Sequence, residues 1–311
     1  MKFGVEEMRV GVIMGGVSSE KQVSIMTGNE MIANLDKNKY EIVPITLNEK
    51  MDLIEKAKDI DFALLALHGK YGEDGTVQGT LESLGIPYSG SNMLSSGICM
   101  DKNISKKILR YEGIETPDWI ELTKMEDLNV DELDKLGFPL VVKPNSGGSS
   151  VGVKIVYDKD ELISMLETVF EWDSEVVIEK YIKGDEITCS IFDGKQLPII
   201  SIRHAAEFFD YNAKYDDTST IEEVIELPAE LKERVNKASL ACYKALKCSV
   251  YARVDMMVKD GIPYVMEINT LPGMTQASLL PKSAAAAGIE YSKLLDMIIE
   301  TSLRVRKDEG F

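Results

Sequence analysis

VYARVDMMVKDGIPYVMEIN, residues 250–269, reads as two apolar strands joined around Asp260–Gly261, which is an antiparallel hairpin. Along a strand, residues i and i+2 share a face. Arg253 and Asp255 therefore project together from the first strand, and Glu267 and Asn269 from the second. With an odd loop centred on Gly261, Asp255 lies opposite Glu267 and Arg253 opposite Asn269, so that all four crowd one face. Two carboxylates and an amide oxygen at this spacing suit Mg2+, a hard cation that takes oxygen ligands and completes its shell with phosphates. Without a cation, carboxylates so close cannot all ionise cheaply.

Outward from this hairpin the pattern changes. The block from about residue 184 onward is mainly antiparallel, with helical periodicity at 228–246 and 290–305. At the other end, MRVGVIM (8–14), YEIVPITL (40–47) and DFALLAL (61–67) are short buried strands separated by helical stretches, the clearest at 19–35. Ser19 with Gln22 predicts a capping box at the start of that helix. Strand–helix–strand order with buried apolar runs implies a parallel sheet covered on both faces. Between the two blocks lie strands at 138–144, 151–157 and 175–182. The expected fold class is mixed α/β (α+β): a Rossmann-like parallel domain over 1–95, a small central domain over 96–183, and an antiparallel domain over 184–311.

Composition narrows the partners. The 311 residues carry a net charge of −17, which argues against a nucleic-acid partner. A polyanionic ligand would need locally concentrated lysines, backbone amides or metal. The cysteines Cys99, Cys189, Cys242 and Cys248 show no CxxC spacing and read as reduced and buried. No apolar run is long enough for a membrane span, and a cytoplasmic location is expected.

Three further stretches carry polar chemistry. GGVSSEKQVS puts Glu20 in the first turn of a helix at the carboxyl edge of a parallel strand, with Ser24 on the same helix face. Open α/β sheets bind ligands at that edge, and a carboxylate there suits a substrate ammonium, although it also suits a helix N-terminus. LHGKYGEDG brings His68 to the same edge. In VVKPNSGGSSVGV, Lys143 ends a strand and a Gly/Ser loop over 145–150 follows, small enough for backbone N–H groups to converge on phosphate. Residues 204–220 have little regular pattern and display Phe208, Phe209, Tyr211 and Tyr215, which suits a lid.

Taken together, VVKPNSGGSSVG, EKYIKGDEIT, ARVDMMV and MEINTLPGMTQASLLP resemble the ATP-grasp enzymes. With GGVSSEKQVS, LHGKYGEDG and DYNAKY added, the resemblance from about residue 8 to 305 is to the D-alanine–D-alanine ligases. One departure is Ala252, where many members carry glycine. The resemblance implies an ATP-grasp fold, two Mg2+ on Asp255, Glu267 and Asn269, and ATP phosphates contacted by Lys102, Lys143, Lys214, Ser149 and Ser150. The nucleotide's base would lie along Glu179, Lys180 and Ile182, with Glu186 near the ribose. The first D-alanine would rest on Glu20, Val23, Ser24 and His68. Arg253 and the Gly273 amide would stabilise the tetrahedral oxyanion, and Ser278 with the Leu279 amide would hold the second carboxylate. Tyr215 would link the lid to Ser149 and Glu20. A homodimer serving peptidoglycan precursor synthesis is implied as well. Another ATP-grasp carboxylate–amine ligase, or a nucleotide-binding regulator without turnover, are the alternative readings.

Overall fold

A computed structural model describes residues 7–148, 151–204 and 220–311. The chain opens with β1 (Met8–Gly15), α1 (Lys21–Asn34), β2 (Tyr40–Leu47), α2 (Asp52–Lys56), β3 (Phe62–Leu65) and α3 (Thr76–Leu84). Its strands form a parallel sheet in the order β2-β1-β3. From Val10 onward every residue of β1 is buried, as a central parallel strand flanked on both faces must be. The capping box expected of Ser19 and Gln22 does not form. Helix α1 begins at Lys21, after Glu20, with no side-chain cap. The neighbouring hydroxyl serves instead: Ser18 Oγ accepts from the Glu20 amide and donates to the His68 carbonyl.

Two helices follow, α4 (Met93–Met100) and α5 (Lys102–Tyr111), each started by a side chain that accepts a backbone N–H. Asn92 caps Ser95 and Asp101 caps Ile104. The central strands and helices are β4 (Trp119–Leu122), α6 (Val130–Leu136), β5 (Leu140–Pro144), β6 (Lys154–Val156), α7 (Lys159–Val169) and β7 (Val176–Lys180). They give an antiparallel sheet in the order β4-β7-β5-β6.

The last block contains β8 (Asp185–Phe192), β9 (Lys195–Gln196), β10 (Ile200–His204), β11 (Thr220–Val224), α8 (Ala229–Ala245), β12 (Tyr251–Lys259), β13 (Ile262–Asn269), α9 (Leu279–Ala286) and α10 (Tyr291–Asp308). Its sheet runs β11-β10-β8-β12-β13, with β9 paired to β8. The aromatic stretch read as a lid falls, over 205–219, outside the described residues; His204 and Thr220 on either side of it are paired partners of β10 and β11.

Three apolar cores hold these layers. The central sheet packs its own core with Leu162 and Leu166 of α7. A second core lies between α8 and the inner face of β8 and β12, and it takes in Cys99 of α4 and Leu109 of α5. The third joins the two ends of the sequence, since Leu294, Leu295, Ile298 and Ile299 of α10 are buried with Val10, Val12 and Phe62. All four cysteines are free and buried.

Candidate active site

The hairpin β12–β13 turns at Asp260 and Gly261, whose φ values of 52° and 75° are both positive. That is the two-residue turn whose twist matches the flanking strands, so the loop is even, not odd. Asp255 nevertheless faces Glu267 and Arg253 faces Asn269, because the register shifts between Asp255 and Met256. Met256 pairs with Val265, leaving Met266 as an extra residue, a β-bulge. The bulge brings Met266 and Glu267, neighbours in sequence, onto one face, while Val265 and Ile268 on either side point into the core.

On that face Asp255 is held by four donors. Arg253 gives Nε to Oδ1 at 2.9 Å and Nη2 to Oδ2 at 2.7 Å, a bidentate fork. Thr188 Oγ1 donates at 2.6 Å and Asn269 Nδ2 at 3.0 Å. Burial would lower the Arg253 basicity, but the charge and hydrogen bonds of Asp255, together with the charges of Glu267 and Glu73, raise it above its usual value. Among the described residues no group of three acids, histidines or cysteines is arranged around a metal position. The donors that do converge are two carboxylates and one amide, all offering oxygen, which is the chemistry Mg2+ takes.

Across the cleft, the loop after β5 is anchored by Asn145. Its Oδ1 accepts from the Asn103 amide at 2.8 Å, its carbonyl accepts from the Lys102 amide, and its Nδ2 donates to Glu175. The first turn of α5 and the small-residue loop are thereby one piece. Lys102, the first residue of α5, donates to the Gly147 carbonyl at 2.5 Å and stands 3.6 Å from Glu267. Burial lowers its ammonium below the usual lysine value. Lys143 is ion-paired with Glu179, which is fully buried and also meets Lys106 at 2.6 Å. Burial alone would raise the Glu179 carboxyl, but the two ammonium groups hold it below the ordinary range. Lys102, Lys143, Glu186, Asp255, Met266 and Glu267 line one cavity of about 210 Å³. Ser149 and Ser150, like Lys214 and Tyr215, lie outside the described residues. Lys180 directs its Nζ to the Gly137 carbonyl, and Ile182 is buried.

The edge of the parallel sheet approaches the same loop. A side chain at Gly148 would stand 3.6 Å from Glu20 Oε2, and one at Gly69 would stand 2.7 Å from it. Gly69, with φ +73°, is therefore a position that favours glycine. His68 is buried, with Glu73 at 3.6 Å from Nδ1 and Thr27 at 3.3 Å from Nε2. Val23 is half-buried on α1. Ser24 is fully buried, accepting from the Gly15 amide and donating to the Ala66 carbonyl, each at 2.8 Å. Its hydroxyl ties the ends of β1 and β3 together. At the start of α9, Ser278 Oγ lies 2.9 Å from where a Cβ on Gly273 would sit, and Leu279 is the first helical residue.

Four participants escaped the sequence reading. Thr188 and Glu73 sit in strand and loop positions with no motif of their own. Asn145 sits inside the small-residue loop, and Lys106 sits one turn beyond Lys102, a spacing that could have flagged it.

None of the three layers could manage a triphosphate alone. The central sheet supplies Lys143 and the loop, the last sheet the paired carboxylates, and the cleft exists only where they face each other. That division defines an enzyme of the ATP-grasp class. The family profile described as "D-ala D-ala ligase C-terminus" matches residues 107–300, and that described as "D-ala D-ala ligase N-terminus" matches 9–58 and 48–91. A D-alanine–D-alanine ligase of Bacillus anthracis is 97% identical over 304 residues, covering 98% of this chain and all of the relative. A crystal structure of D-alanine–D-alanine ligase from Bacillus anthracis complexed with ATP superposes with TM-score 0.90 at 95% identity, covering 98% of this chain and 99% of its own. The VanG D-Ala:D-Ser ligase from Enterococcus faecalis gives TM-score 0.83 at 30% identity over 96% of this chain and 100% of its own. The chain belongs to the D-alanine–D-alanine ligase family. No helix among the described residues is long and apolar enough to cross a membrane.

Proposed function

We propose that the chain joins two D-alanines into D-alanyl-D-alanine at the expense of ATP, supplying a peptidoglycan precursor. The observation that carries this reading is the position of Lys102, which reaches both the loop carbonyl of Gly147 and the carboxylate of Glu267. One ammonium thus stands between the two walls of the cleft, where a transferring phosphoryl group must be neutralised.

In this reading Lys102 and Lys143 bind phosphate oxygens, with the Ser149–Ser150 amides and Lys214 assigned to the same task from their motifs. Asp255, Glu267 and Asn269 would hold Mg2+, which when bound supplies charge neutralisation at the phosphates. Glu20, beside Gly148, would receive the ammonium of the first D-alanine and so orient its carboxylate toward the loop. That carboxylate attacks the γ-phosphorus and ADP departs, leaving an acyl phosphate. The second amine, having lost a proton, attacks the carbonyl and phosphate departs. Arg253, held rigid by Asp255, would face the developing oxyanion together with the Gly273 amide. Ser278 and the Leu279 amide, at the N-terminus of α9, are placed to bind the second carboxylate. Water must be excluded because it would hydrolyse the acyl phosphate, a task that falls to the lid carrying Tyr215.

The division at 1–95, 96–183 and 184–311, a homodimer and a cytoplasmic location belong to the same proposal. The test is phosphate release from ATP with Mg2+ and either D-alanine or L-alanine. Release dependent on D-alanine, with dipeptide in equal amount, is expected. Equal rates with both enantiomers, or none with either, would overturn it.

A further inference from the structure

Lys106 is a charged group near the cleft that the proposed chemistry does not use. It sits on α5 one turn beyond Lys102, its side chain is 1% exposed, and it does not line the cavity. Its ammonium donates to Thr116 Oγ1 at 2.8 Å and to the Pro117 carbonyl at 3.3 Å, and it is ion-paired with Glu179 Oε2 at 2.6 Å. The Trp119 ring lies 5.4 Å from the same nitrogen, and Thr116 is itself fixed by donation to the Val265 carbonyl of β13.

A lysine so fully enclosed is costly. Burying an ion pair or triad gains little over a well-packed apolar cluster of the same volume. Its value here lies in the charge count. Glu179 offers one oxygen to Lys106 and the other to Lys143. With Lys143 as its sole partner, the carboxylate would cancel the Lys143 charge, and the cavity would present a neutral pair to an incoming triphosphate. With Lys106 present, two ammonium groups share one carboxylate, and one positive charge remains on the side that faces the cavity.

We infer that Lys106 is a positioning residue for nucleotide binding: by compensating Glu179 from behind, it orients that carboxylate and leaves the Lys143 charge available to the ATP phosphates. The inference rests on the reading that Lys143 meets the nucleotide.

The test is calorimetric titration of the full chain with ATP and Mg2+ in the absence of D-alanine, alongside steady-state kinetics. Wild-type protein that fails to bind ATP would overturn the reading of the cleft itself, separately from the role of Lys106. With wild-type binding established, Lys106→Met is expected to weaken ATP binding at least tenfold and to raise KM for ATP, with KM for D-alanine little changed. Lys106→Arg, which keeps the charge, should recover most of that loss. The double variant Lys106→Met with Glu179→Gln is compared with Glu179→Gln alone: with the carboxylate gone, removing Lys106 should change ATP binding by no more than about threefold. A Lys106→Met variant that binds ATP as wild type does would overturn the inference. So would a double variant that binds more than tenfold more weakly than Glu179→Gln alone, and this second criterion holds even if Lys106→Met fails to fold.

Discussion

Replacing Asp255 by asparagine should damage both the fold and the reaction, and the size of each effect follows from the hydrogen bonds around it. Each Asp255 oxygen accepts from two donors, Arg253 Nε and Thr188 on Oδ1, Arg253 Nη2 and Asn269 on Oδ2. An amide has only one oxygen, so in either orientation two donors would confront an NH2 group. The Arg253 guanidinium, 16% exposed, would also lose the charge that balances it. Breaking a buried pair from one side costs about 3–5 kcal/mol. Partial exposure and retention of one good acceptor place Asp255→Asn near the low end, about 3 kcal/mol. At about 2 °C per kcal/mol for a large chain, the melting temperature should fall by about 6 °C. Glu267→Gln is the control. Its carboxylate is 29% exposed and meets Lys102 at 3.6 Å, a contact contributing about 0.2–1 kcal/mol. Its melting temperature should stay within about 2 °C of wild type. Both variants should lose at least about 100-fold in D-alanine-dependent phosphate release. Thermal melts followed by circular dichroism, paired with the release assay, separate the two contributions. If Asp255→Asn melts with wild type, the fork on Arg253 is not holding the hairpin face, and the argument fails.

Other perturbations give distinct signatures. Glu20→Gln should raise KM for the first D-alanine more than KM for ATP in initial-rate kinetics, and equal increases would reduce Glu20 to a helix-start acid. Ser24→Ala leaves the Gly15 amide and the Ala66 carbonyl without their shared partner, costing about 1–3 kcal/mol in denaturant melts, while KM for D-alanine stays near wild type. Stability should fall as pH rises beyond about 8.5, the ordinary thiol value. Burial pushes the Tyr251 hydroxyl up to about 12 and the Cys189 and Cys242 thiols up as well. These groups keep their protons in the folded chain while the unfolded chain loses them, so the stability they lend is full at lower pH and is lost on the alkaline side. Lys102 and Lys106 act with the opposite sign, since burial lowers both ammonium groups, that of Lys106 to about 8, but the buried thiols and tyrosines outnumber them. Melting temperatures that stay level from pH 8 to 10.5 would contradict this balance.

Periodicity made most elements legible. β1, buried from Val10 onward, and the alternating β12 announce a parallel and an antiparallel sheet respectively. The hairpin shows where such reading stops. The spacing between Asp255 and Glu267 correctly implied that they face each other, but the extra residue was assigned to the loop. Asp260 and Gly261 both tolerate positive φ and close the tightest turn, so the surplus appears inside the strand at Met266, where nothing in the local composition marks it. The Lys106–Glu179 contact was hidden for a different reason. A lysine on a helix such as KNISKKILRY reads as solvent-facing, and only the approach of β7 from 73 residues further along the sequence supplies its partner. Ser24 was legible as a polar residue at the right edge, yet the demand of two buried backbone groups claims its hydroxyl.

The burial of α10 in one core with β1 and β3 bears on how the chain is made. A ribosome releases the parallel strands well before the helix that completes their core. Through most of synthesis, apolar residues such as Val12 and Phe62 await Leu295 and Ile298. The two antiparallel cores draw no residue from β1 to β3, so they can condense while the first-made segment is still incomplete. The parallel core should therefore be completed only after α10 emerges, and until then its strands are most exposed to chaperones and proteases.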